Sequence, residues 1–452
     1  MKFSAQTIAA FTGGQCIRPG PEGRVVTDTR KLQPGDWYWA LKGPNFDGNT
    51  LWEKALDAGC AGAVLDHAPP GWSRGLVQVV DGLKALQDCA GQVRNQFHGP
   101  VVGITGSSGK TTTRSMVASV LSQRFVTHST AGNLNNHIGL PLTLLELDSH
   151  HEVVVLEMGM SAAGEIAFLE SLGRPTVRLI TNVSLAHTEG SGDLAQTAAC
   201  KEELFIGAHP GDILVVNLDD PSVAAMGRPE GTSTLCFGSS QACDFQLLSV
   251  EIDPSALSTH FTAKTPLGRL DVTVPAPGRH IALDALSAAA VGVAIGLSLE
   301  EITVGLEAYR PVGMRMRIQE MAGGITLLND AYNANPASTK ASLDTLALID
   351  GRRRIALLGD MLELGAFEAV SHSQVVEAAV ASGIEILGLV GPRYAAAANL
   401  ADGRIELHLT NTAEDMGELL AGQLQSGDVV LLKGSRGLAM ERVLQGLGLQ
   451  EA

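Results

Sequence analysis

The sequence predicts an α/β protein of three domains. The chain has 452 residues, and a prior of roughly 150 residues per domain gives about three domains. Short apolar segments typical of buried parallel strands alternate with helical segments, which is the pattern of doubly wound α/β folds. This alternation begins again near residue 314. The predicted domains are therefore residues 1–85, 86–313 and 314–452.

The first two predicted domains differ in their strands. Residues 1–85 mix short strands, VVTDT at 25–29 and AGAVLD at 61–66, with loops rich in Gly, Pro and Asn, which indicates a small α/β domain. In residues 86–313 the candidate strands are VVGIT, EVVVLEMG, VRLITNV and DILVVNL. Their polar and apolar residues hardly alternate, as expected for a central parallel sheet that is covered on both faces.

The third predicted domain has a strand series of its own. GITLLNDAY, RRIALLGD, IEILGLVG and DVVLLKG are separated by helical stretches such as residues 336–349. This pattern predicts a Rossmann-like, doubly wound α/β domain in residues 314–452. Two facing α/β domains favour an active site in the cleft between them.

Composition and charge exclude several classes of protein. Hydrophobic residues make up 45% of the chain, which is enough for full cores and excludes a disordered chain. The formal net charge of −16 argues against a nucleic-acid partner, which would require a basic face. The six cysteines show no C-x-x-C spacing, so we expect reduced, mostly buried thiols and neither a disulfide framework nor a zinc site.

The sequence also predicts a soluble, cytoplasmic protein. The N-terminal segment MKFSAQTIAAFTGG lacks a long apolar core and a cleavage signature, so no signal peptide is expected. The longest uncharged stretch, residues 285–299, is rich in Ala and Gly and is too short to cross a bilayer.

The segment VVGITGSSGKTTT, residues 101–113, carries the clearest chemical signal. An apolar strand ends in a Gly/Ser loop, and a Lys-Thr-Thr-Thr run then opens a helical pattern. Glycines let backbone N–H groups approach an anion, the helix N-terminus is positive, and a lysine adds a mobile charge. The segment therefore predicts a nucleoside triphosphate site, with Mg²⁺ bound by a threonine hydroxyl. Its residues are Gly106, Ser107, Ser108, Gly109, Lys110, Thr111 and Thr112.

One residue departs from the phosphate-binding pattern. Ile104 stands where the first glycine of G-x-x-x-x-G-K-[ST] belongs. The alternative is an ordinary strand–turn–helix corner that carries a surface lysine, although strand, glycine loop, Lys-Thr and helix all fall in the required order.

Further polar residues follow the central strands. Glu157 ends an apolar strand, where a carboxylate either reaches Mg²⁺ or simply faces solvent. His187 follows another strand and Lys201 lies in a helical segment; taken singly, such residues are more often structural or exposed. The segment TAGNLNNHIG carries amides that orient a substrate or shape turns. These amides are Asn133, Asn135 and Asn136.

Together these segments resemble the Mur ligases of peptidoglycan synthesis. The matching segments are ITGSSGKTTT, LEMGMSAAGEI, ITNVSLAH, ACKEELF, NDAYNANPAS and LGDMLELG. The last two, with LLKGSRGLAMERV near the end of the chain, are similar to the branch that joins D-alanyl-D-alanine to a UDP-N-acetylmuramoyl-tripeptide. The resemblance covers all three predicted domains in the family's order. It implies a UDP-substrate domain, a central ATP-binding domain and a C-terminal domain that completes the ATP and dipeptide sites.

The resemblance implies an ATP-dependent amide ligase that works through an acyl phosphate and a tetrahedral intermediate. It assigns Lys110 to the β- and γ-phosphates and Thr111 to the phosphate-bound Mg²⁺. It assigns Glu157 and His187 to metal binding, with His187 serving a second ion.

Three other central residues receive roles from the resemblance. Lys201 matches the lysine that family members carbamylate, and a carbamate would give a second Mg²⁺ an anionic oxygen ligand. Asn135 and Asn136 match the family's Asn-rich loop near the metals and the acyl substrate.

The two outer domains complete the implied sites. ATP is assigned to His280, Arg315 and Asp330 in addition to the phosphate-binding segment. The residues implied on the D-alanyl-D-alanine side are Tyr332, Asn333, Asn335, Lys433, Ser435 and Arg436. Those implied for the UDP-substrate are Thr29, Arg30, Phe46, Asp47, Gly48 and Asn49. Simpler interpretations remain open: a solvated basic turn around Lys433, a core position for Phe46 and a tight turn after it.

The chain departs from the family's pattern at four positions. Ile281 and Asp284 replace two asparagines of the adenine-side helix, Met314 replaces a glycine, and Asn49 replaces a histidine. The usual amide recognition of adenine is therefore not expected here.

Other activities share part of the signal. A tripeptide-forming Mur ligase and a folylpolyglutamate synthase have the same loop and lysine, but NDAYNANP and GDMLELG argue against both. A P-loop kinase or a nucleotide-gated binding protein is a different class. The sequence does not indicate whether the third peptide residue is diaminopimelate or lysine, and we expect a monomer that acts on small molecules.

Overall fold

Strands and α-helices alternate along most of the chain in the computed structural model, which describes residues 1–185 and 188–448. The strands are β1 (Gln15–Arg18), β2 (Val25–Val26), β3 (Trp37–Trp39), β4 (Lys42–Gly43), β5 (Phe46–Asp47), β6 (Gly62–Leu65), β7 (Gly75–Gln78), β8 (Val101–Thr105), β9 (Thr127–Ser129), β10 (Val153–Glu157), β11 (Val177–Ile180), β12 (Ile213–Asn217), β13 (Ser233–Gly238), β14 (Phe245–Asp253), β15 (Ser258–Thr265), β16 (Gly268–Val274), β17 (Arg317–Met321), β18 (Ile325–Asp330), β19 (Arg354–Gly359), β20 (Ile386–Val390), β21 (Glu406–Thr410) and β22 (Val429–Lys433).

The α-helices are α1 (Ala5–Thr12), α2 (Trp52–Asp57), α3 (Gly82–Gln96), α4 (Lys110–Leu121), α5 (Gly139–Leu145), α6 (Glu165–Gly173), α7 (Thr188–Ser191), α8 (Leu194–Ile206), α9 (Pro221–Ala224), α10 (Arg279–Ala294), α11 (Leu299–Glu307), α12 (Pro336–Leu348), α13 (Glu368–Ala381), α14 (Pro392–Ala397), α15 (Ala413–Leu420) and α16 (Val443–Leu447). Short 3₁₀ turns occur at Thr29–Lys31, Gly48–Leu51, Gly365–Phe367, Ala398–Leu400, Arg436–Leu438 and Met440–Arg442.

The chain divides into two compact units. The first unit holds Met1–Gly103, Val126–Gly159 and Ala167–Pro175. The second unit holds Ile104–Phe125, Met160–Ile166 and Thr176–Ala452. Both units combine helices with largely parallel sheets, which confirms the predicted α/β class. The domain boundaries after residues 85 and 313 stay predictions.

A five-stranded sheet forms the N-terminal part of the first unit. Its strand order is β1-β7-β6-β3-β2, with β1 antiparallel and the other strands parallel. The predicted strand AGAVLD is confirmed as β6. The predicted strand at 25–29 is wrong beyond Val26, because the Asp28 carboxylate accepts a bond from the Arg30 N–H at 3.0 Å and starts a 3₁₀ turn.

Trp37 in this sheet packs against two glycines. Its indole N–H donates to the Pro21 carbonyl oxygen at 2.9 Å, and the whole side chain is buried. A Cβ atom added to Gly62 would lie 2.4 Å from the ring, and one added to Gly75 would lie 2.7 Å from it. Carbon atoms prefer separations of about 3.5–4.0 Å, so the ring fits only because both positions are glycine.

The central strands match their predictions closely. EVVVLEMG contains β10, whose residues are all buried and which pairs in parallel with β9 in the first unit. In the second unit VRLITNV contains β11 and DILVVNL contains β12. The strands β11, β12, β13 and β14 are parallel, and β15 and β16 extend them as antiparallel strands.

Helix α10 contains most of the long uncharged stretch, residues 285–299. Its residues 281–292 are all buried except Leu283, which is partly exposed. It packs against α4, the helix that follows the glycine loop. In residues 1–185 and 188–448 no helix combines the length and the apolar character that crossing a bilayer requires.

All six cysteines are free and four of them are buried, as predicted.

The C-terminal sheet of the second unit has the order β17-β18-β22-β19-β20-β21. β17 is antiparallel and the other strands are parallel, so the predicted strand series and the predicted helix at 336–349, which is α12, are confirmed. Because β22 lies between β18 and β19, Lys433 pairs in register with Asp330 on one side and with Leu358 on the other. The carboxyl ends of these strands therefore bring charged residues together.

Candidate active site

A glycine loop joins β8 to α4, as predicted, and we call residues 106–109 the phosphate loop. Gly109 precedes the first residue of α4 and has a φ of +79°, in the left-handed region that favours glycine. The first N–H groups of α4 lack helical acceptors, so this end of the helix is suited to an anion. Thr111, in the first turn, is 3% exposed.

The loop is held by the segment that follows β11. The Ser107 N–H donates to the Asn182 carbonyl oxygen at 2.9 Å, and the Ser108 N–H donates to Asn182 Oδ1 at 3.0 Å. The Thr181 hydroxyl donates to the Ser108 carbonyl oxygen at 2.6 Å. Sequence reasoning missed Thr181 and Asn182, although both lie in the quoted segment ITNVSLAH. Their position directly after a parallel strand was the available signal.

The Lys110 ammonium folds back over the phosphate loop. It donates to the carbonyl oxygen of Gly106 at 2.7 Å and lies 3.4 Å from that of Ser107. The positive charge is thus held at the phosphate loop, and its predicted contact with a triphosphate stays a prediction.

Lys201 is a buried lysine on α8, with 1% of its surface exposed. Burial, and secondly the charge of Lys110, lower the pKa of its ammonium to about 7. The alternative of a solvated helix residue is therefore wrong. His187, which was assigned to a second metal ion, lies outside the described residues.

Arg178 fixes the C-terminal end of α8. Its buried guanidinium donates to the carbonyl oxygens of Leu204 at 3.2 Å and Gly207 at 2.9 Å. It also lies 3.3 Å from the Asp212 carboxylate. A cation at a helix C-terminus stabilises the helix, so Arg178 positions the helix that carries Lys201.

Glu157 is the last residue of β10, in the first unit, and is 1% exposed. Asn135 Nδ2 donates to its Oε1 at 2.7 Å, and the Glu157 N–H donates to the Thr130 hydroxyl at 3.0 Å. The solvent-facing alternative for Glu157 is therefore wrong. Asn136 has a local role, because its Oδ1 accepts the N–H groups of Ile138 and Gly139 at the start of α5.

Asp330 and Lys433 form an ion pair at the carboxyl ends of β18 and β22. Asp330 also accepts the Ser342 hydroxyl at 2.8 Å and the Met316 N–H at 3.1 Å. Lys433 is 3% exposed, so the alternative of a solvated basic turn is wrong for this residue, and its assignment to the dipeptide side stays a prediction. Burial lowers the pKa of the neighbouring His280 to about 4, so this imidazole is neutral near pH 7.

Of three further predicted residues, Asn335 contacts the phosphate loop and Arg315 stacks on Tyr332. Asn335 Nδ2 donates to the Ser108 hydroxyl at 2.9 Å, while Asn335 Oδ1 accepts the Ser338 N–H and caps α12. The Arg315 guanidinium carbon lies 3.7 Å from the centre of the Tyr332 ring, which is a cation–π contact.

The remaining C-terminal residues have internal partners. Lys433 also donates to the Asn333 carbonyl oxygen at 3.2 Å. The Ser435 hydroxyl accepts the Leu362 N–H at 2.8 Å, which joins it to the segment LGDMLELG. Arg436 pairs with Glu441 at 2.7 Å.

Four of the residues assigned to the UDP-substrate, 46–49, form β5 and the start of the 3₁₀ turn that follows it. Phe46 is 59% exposed, so the core alternative for this residue is wrong. The Asp47 carboxylate accepts the Asn49 N–H at 2.9 Å, which confirms the turn that includes Gly48. Asn49 is buried, and its Oδ1 accepts the Asp66 N–H at 2.9 Å.

Arg30, also assigned to the UDP-substrate, is exposed and pairs with Asp28 at 2.8 Å. The side-chain hydrogen bond from Arg30 lowers the pKa of the Asp28 carboxyl to about 2. Thr29 is the first residue of the same 3₁₀ turn.

Comparison with known proteins agrees with this geometry. The profile of the Mur ligase middle domain matches residues 104–292, and that of the "Mur ligase, glutamate ligase domain" matches residues 314–436. The UDP-N-acetylmuramoyl-tripeptide–D-alanyl-D-alanine ligase of Escherichia coli K12 is 39% identical over 94% of this chain and 93% of its own.

Solved structures of that enzyme share the fold. The crystal structure of MurF from Acinetobacter baumannii superposes with a TM-score of 0.90 at 30% identity and covers 99% of each chain. MurF from Thermotoga maritima in complex with ADP gives a TM-score of 0.80 at 26% identity over 94% of this chain and 97% of that one. The chain therefore belongs to the Mur ligase family, in its branch of UDP-N-acetylmuramoyl-tripeptide–D-alanyl-D-alanine ligases.

Proposed function

We propose that the chain joins D-alanyl-D-alanine to UDP-N-acetylmuramoyl-tripeptide at the expense of ATP, giving the pentapeptide precursor of peptidoglycan in the cytoplasm. The observation that carries this proposal is the buried Lys201 amine, whose pKa the charge of Lys110 helps to lower. A kinase needs a cation at the triphosphate but has no evident use for a second, buried lysine. The E. coli relative, 39% identical, carries the name of this reaction.

The chemistry explains why ATP is needed. A carboxylate is a poor acyl donor because its leaving group would be oxide. Transfer of the γ-phosphoryl group to a carboxylate oxygen of the tripeptide releases ADP and forms an acyl phosphate. The dipeptide amine then attacks the carbonyl carbon, loses a proton, and the tetrahedral intermediate expels phosphate to leave the amide. Positioning and charge neutralisation supply most of the catalysis in such transfers.

The residues of the second unit bind and neutralise the triphosphate in this proposal. The phosphate loop and the first turn of α4 donate N–H groups to it, and Lys110 moves from the loop carbonyls to the β- and γ-phosphates. Arg315, Asp330 and His280 take the adenosine side.

The donor set fits Mg²⁺, which prefers hard oxygen ligands. Glu157 offers a buried carboxylate that Asn135 orients, and Thr111 offers a hydroxyl in the first turn of α4. His187 is proposed as a ligand of a second ion, as is Lys201 once carbamylated. Bound Mg²⁺ would neutralise charge on the transferred phosphoryl group.

The other two substrates are assigned to separate groups of residues. Thr29, Arg30 and the 46–49 turn are proposed to bind the UDP end, with the exposed Phe46 ring as its apolar surface. The dipeptide is assigned to the residues at the ends of β18 and β22. These are Tyr332, Asn333, Asn335, Lys433, Ser435 and Arg436. We propose that the enzyme acts as a monomer.

Phosphate release measured with ATP and Mg²⁺ tests the proposal. Release is expected only when UDP-N-acetylmuramoyl-tripeptide and D-alanyl-D-alanine are both present, and single amino acids should not replace the dipeptide. Transfer of phosphate to the tripeptide without any amine would instead indicate a kinase. Running tripeptides that end in diaminopimelate and in lysine side by side identifies the third residue.

A further inference from the structure

A buried acid lies against the phosphate loop. Asp284, on α10, is 9% exposed. Its Oδ1 would lie 2.7 Å from a Cβ atom added to Gly109, and its Oδ2 would lie 3.2 Å from that atom. The carboxyl group therefore packs directly on the residue that begins α4 and ends the phosphate loop.

The groups around Asp284 do not compensate a negative charge. Its polar neighbour on α4 is the neutral Thr113 hydroxyl, and after α11 the phenol of Tyr309 faces it. In the described parts of the chain no ion pair or hydrogen bond joins the carboxyl to a cationic side chain. Burial raises its pKa from the usual 3.8 to about 7, and the Thr113 hydroxyl offsets this only in part.

The other titratable groups that act on Asp284 or on Tyr309 keep one charge state around neutral pH. Burial first, and Asp284 second, raise the pKa of the Tyr309 phenol, so it stays neutral. Arg114 of α4 and Arg315 act on Tyr309 and stay charged. His280, one turn earlier on α10, is neutral because burial lowers its pKa to about 4. Asp284 is therefore the group of this set that changes charge near pH 7. Lys201, on α8, is a second group with a pKa of about 7, and the charge of Lys110 acts on it.

An ionised carboxylate at this position opposes phosphate binding. It lies against Gly109, next to the end of α4 that a phosphate anion requires. It would also repel the phosphates at short range from a site with little water to screen the two charges. A protonated carboxyl removes both effects and keeps the same packing.

We propose that Asp284 must be protonated for nucleotide to bind, so that this residue makes the affinity for ATP and ADP fall as the solution becomes alkaline. This inference rests on the proposed function, because it places the nucleotide phosphates at the phosphate loop. It assigns a chemical role to one of the positions at which the chain departs from the family's asparagine.

Calorimetric titration of the full chain with Mg²⁺-saturated ADP tests the proposal. If only the protonated form binds, the Kd of the wild-type protein rises about 25-fold between about pH 6.5 and about pH 8.5, given a pKa of about 7. Asp284→Asn keeps the shape of the side chain but cannot ionise. Its Kd should therefore rise much less than that of the wild type over that range. The rise that remains measures the contributions of Lys201 and of ADP itself.

Asp344→Asn is the matched control, because it removes an exposed carboxylate from α12 in the same unit. It should keep the full pH dependence of the wild type. A wild-type Kd that is constant with pH, or an equal pH dependence in Asp284→Asn, would overturn the proposal. So would weaker binding of Asp284→Asn at every pH, since that would mean the ionised carboxylate accepts a bond from the nucleotide. Failure of ADP to bind to any variant at any pH would overturn the proposed function instead.

Discussion

Replacing Asp284 by Asn should stabilise the second unit, and the gain should grow as the pH rises from about 5 to about 8. The folded protein holds the pKa of this buried carboxyl near 7, against 3.8 for the free group. Below the lower value both folded and unfolded chains are protonated, and the wild type loses nothing. Between the two pKa values the unfolded chain is ionised while the folded chain is still protonated, so the wild type loses stability as the pH rises. Above the folded pKa both chains are ionised and the loss stops growing.

The magnitude follows from that shift. One pKa unit corresponds to about 1.36 kcal/mol, so between pH 5 and pH 8 the wild type should lose roughly 2–3 kcal/mol more of its free energy of unfolding than Asp284→Asn. Most of the loss falls below pH 7, and the difference levels off above it. Asn fills the same space and carries no charge, so the packing against Gly109 is kept.

Hydrogen–deuterium exchange of the α10 segment, measured at both pH values, reports the second unit directly. Tryptophan fluorescence during urea unfolding reports the first unit, because it contains all four tryptophans: Trp37, Trp39, Trp52 and Trp72. Asp344→Asn should behave like the wild type within about 0.5 kcal/mol. An Asp284→Asn gain that is equal at pH 5 and pH 8, or a loss at pH 8, would refute the reasoning.

Three other substitutions test the proposed site. Lys110→Ala should lower kcat for phosphate release by about 10²–10³-fold, because it removes the positive charge beside the phosphate loop. As a control, Lys54→Ala changes an exposed lysine of α2 and should keep full activity. A fully active Lys110→Ala variant would contradict the assignment. Asn335→Ala removes the cap of α12 and should lower the melting temperature by an amount equivalent to about 1 kcal/mol. It should also raise KM for ATP, because the bond from Asn335 to Ser108 is lost. An unchanged KM would mean that Asn335 has only a structural role. Phe46→Ala should change stability by less than about 0.5 kcal/mol, since the ring is exposed, but should raise KM for the UDP-substrate and leave that for ATP unaltered.

Much of the fold could be predicted because the central and C-terminal strands are buried on both faces. A strand such as β22 must then be largely apolar, and DVVLLKG shows this over the four residues 429–432 before Lys433. The strand predicted at residues 25–29 was wrong because little of this segment pairs with a neighbouring strand. Only Val25 and Val26 pair with a neighbour there, and the Asp28 side chain offers the backbone a turn instead.

The sequence predicted those site residues that belong to a local motif. It did not predict contacts that form only when distant segments pack together. The phosphate loop follows from Gly109 and Lys110 alone. The burial of Lys201 depends on how α8 is packed, and helical periodicity did not reveal it. Asp330 and Lys433 pair although they lie 103 positions apart in the chain. They meet because β22 lies next to β18, and this strand order cannot be read from the sequence.

The contact of Trp37 with Gly62 and Gly75 has a consequence for how the N-terminal sheet tolerates mutation. The three nearest atoms to a Cβ added at Gly62 all belong to the indole, whereas one added at Gly75 would also lie 2.9 Å from Gly20 Cα. The effect of a change at Gly62 therefore depends on the residue at position 37. Trp37→Leu together with Gly62→Ala should be less harmful than the sum of the two single changes. In a set of functional variants these positions would therefore change together, as one small cooperative group within the sheet.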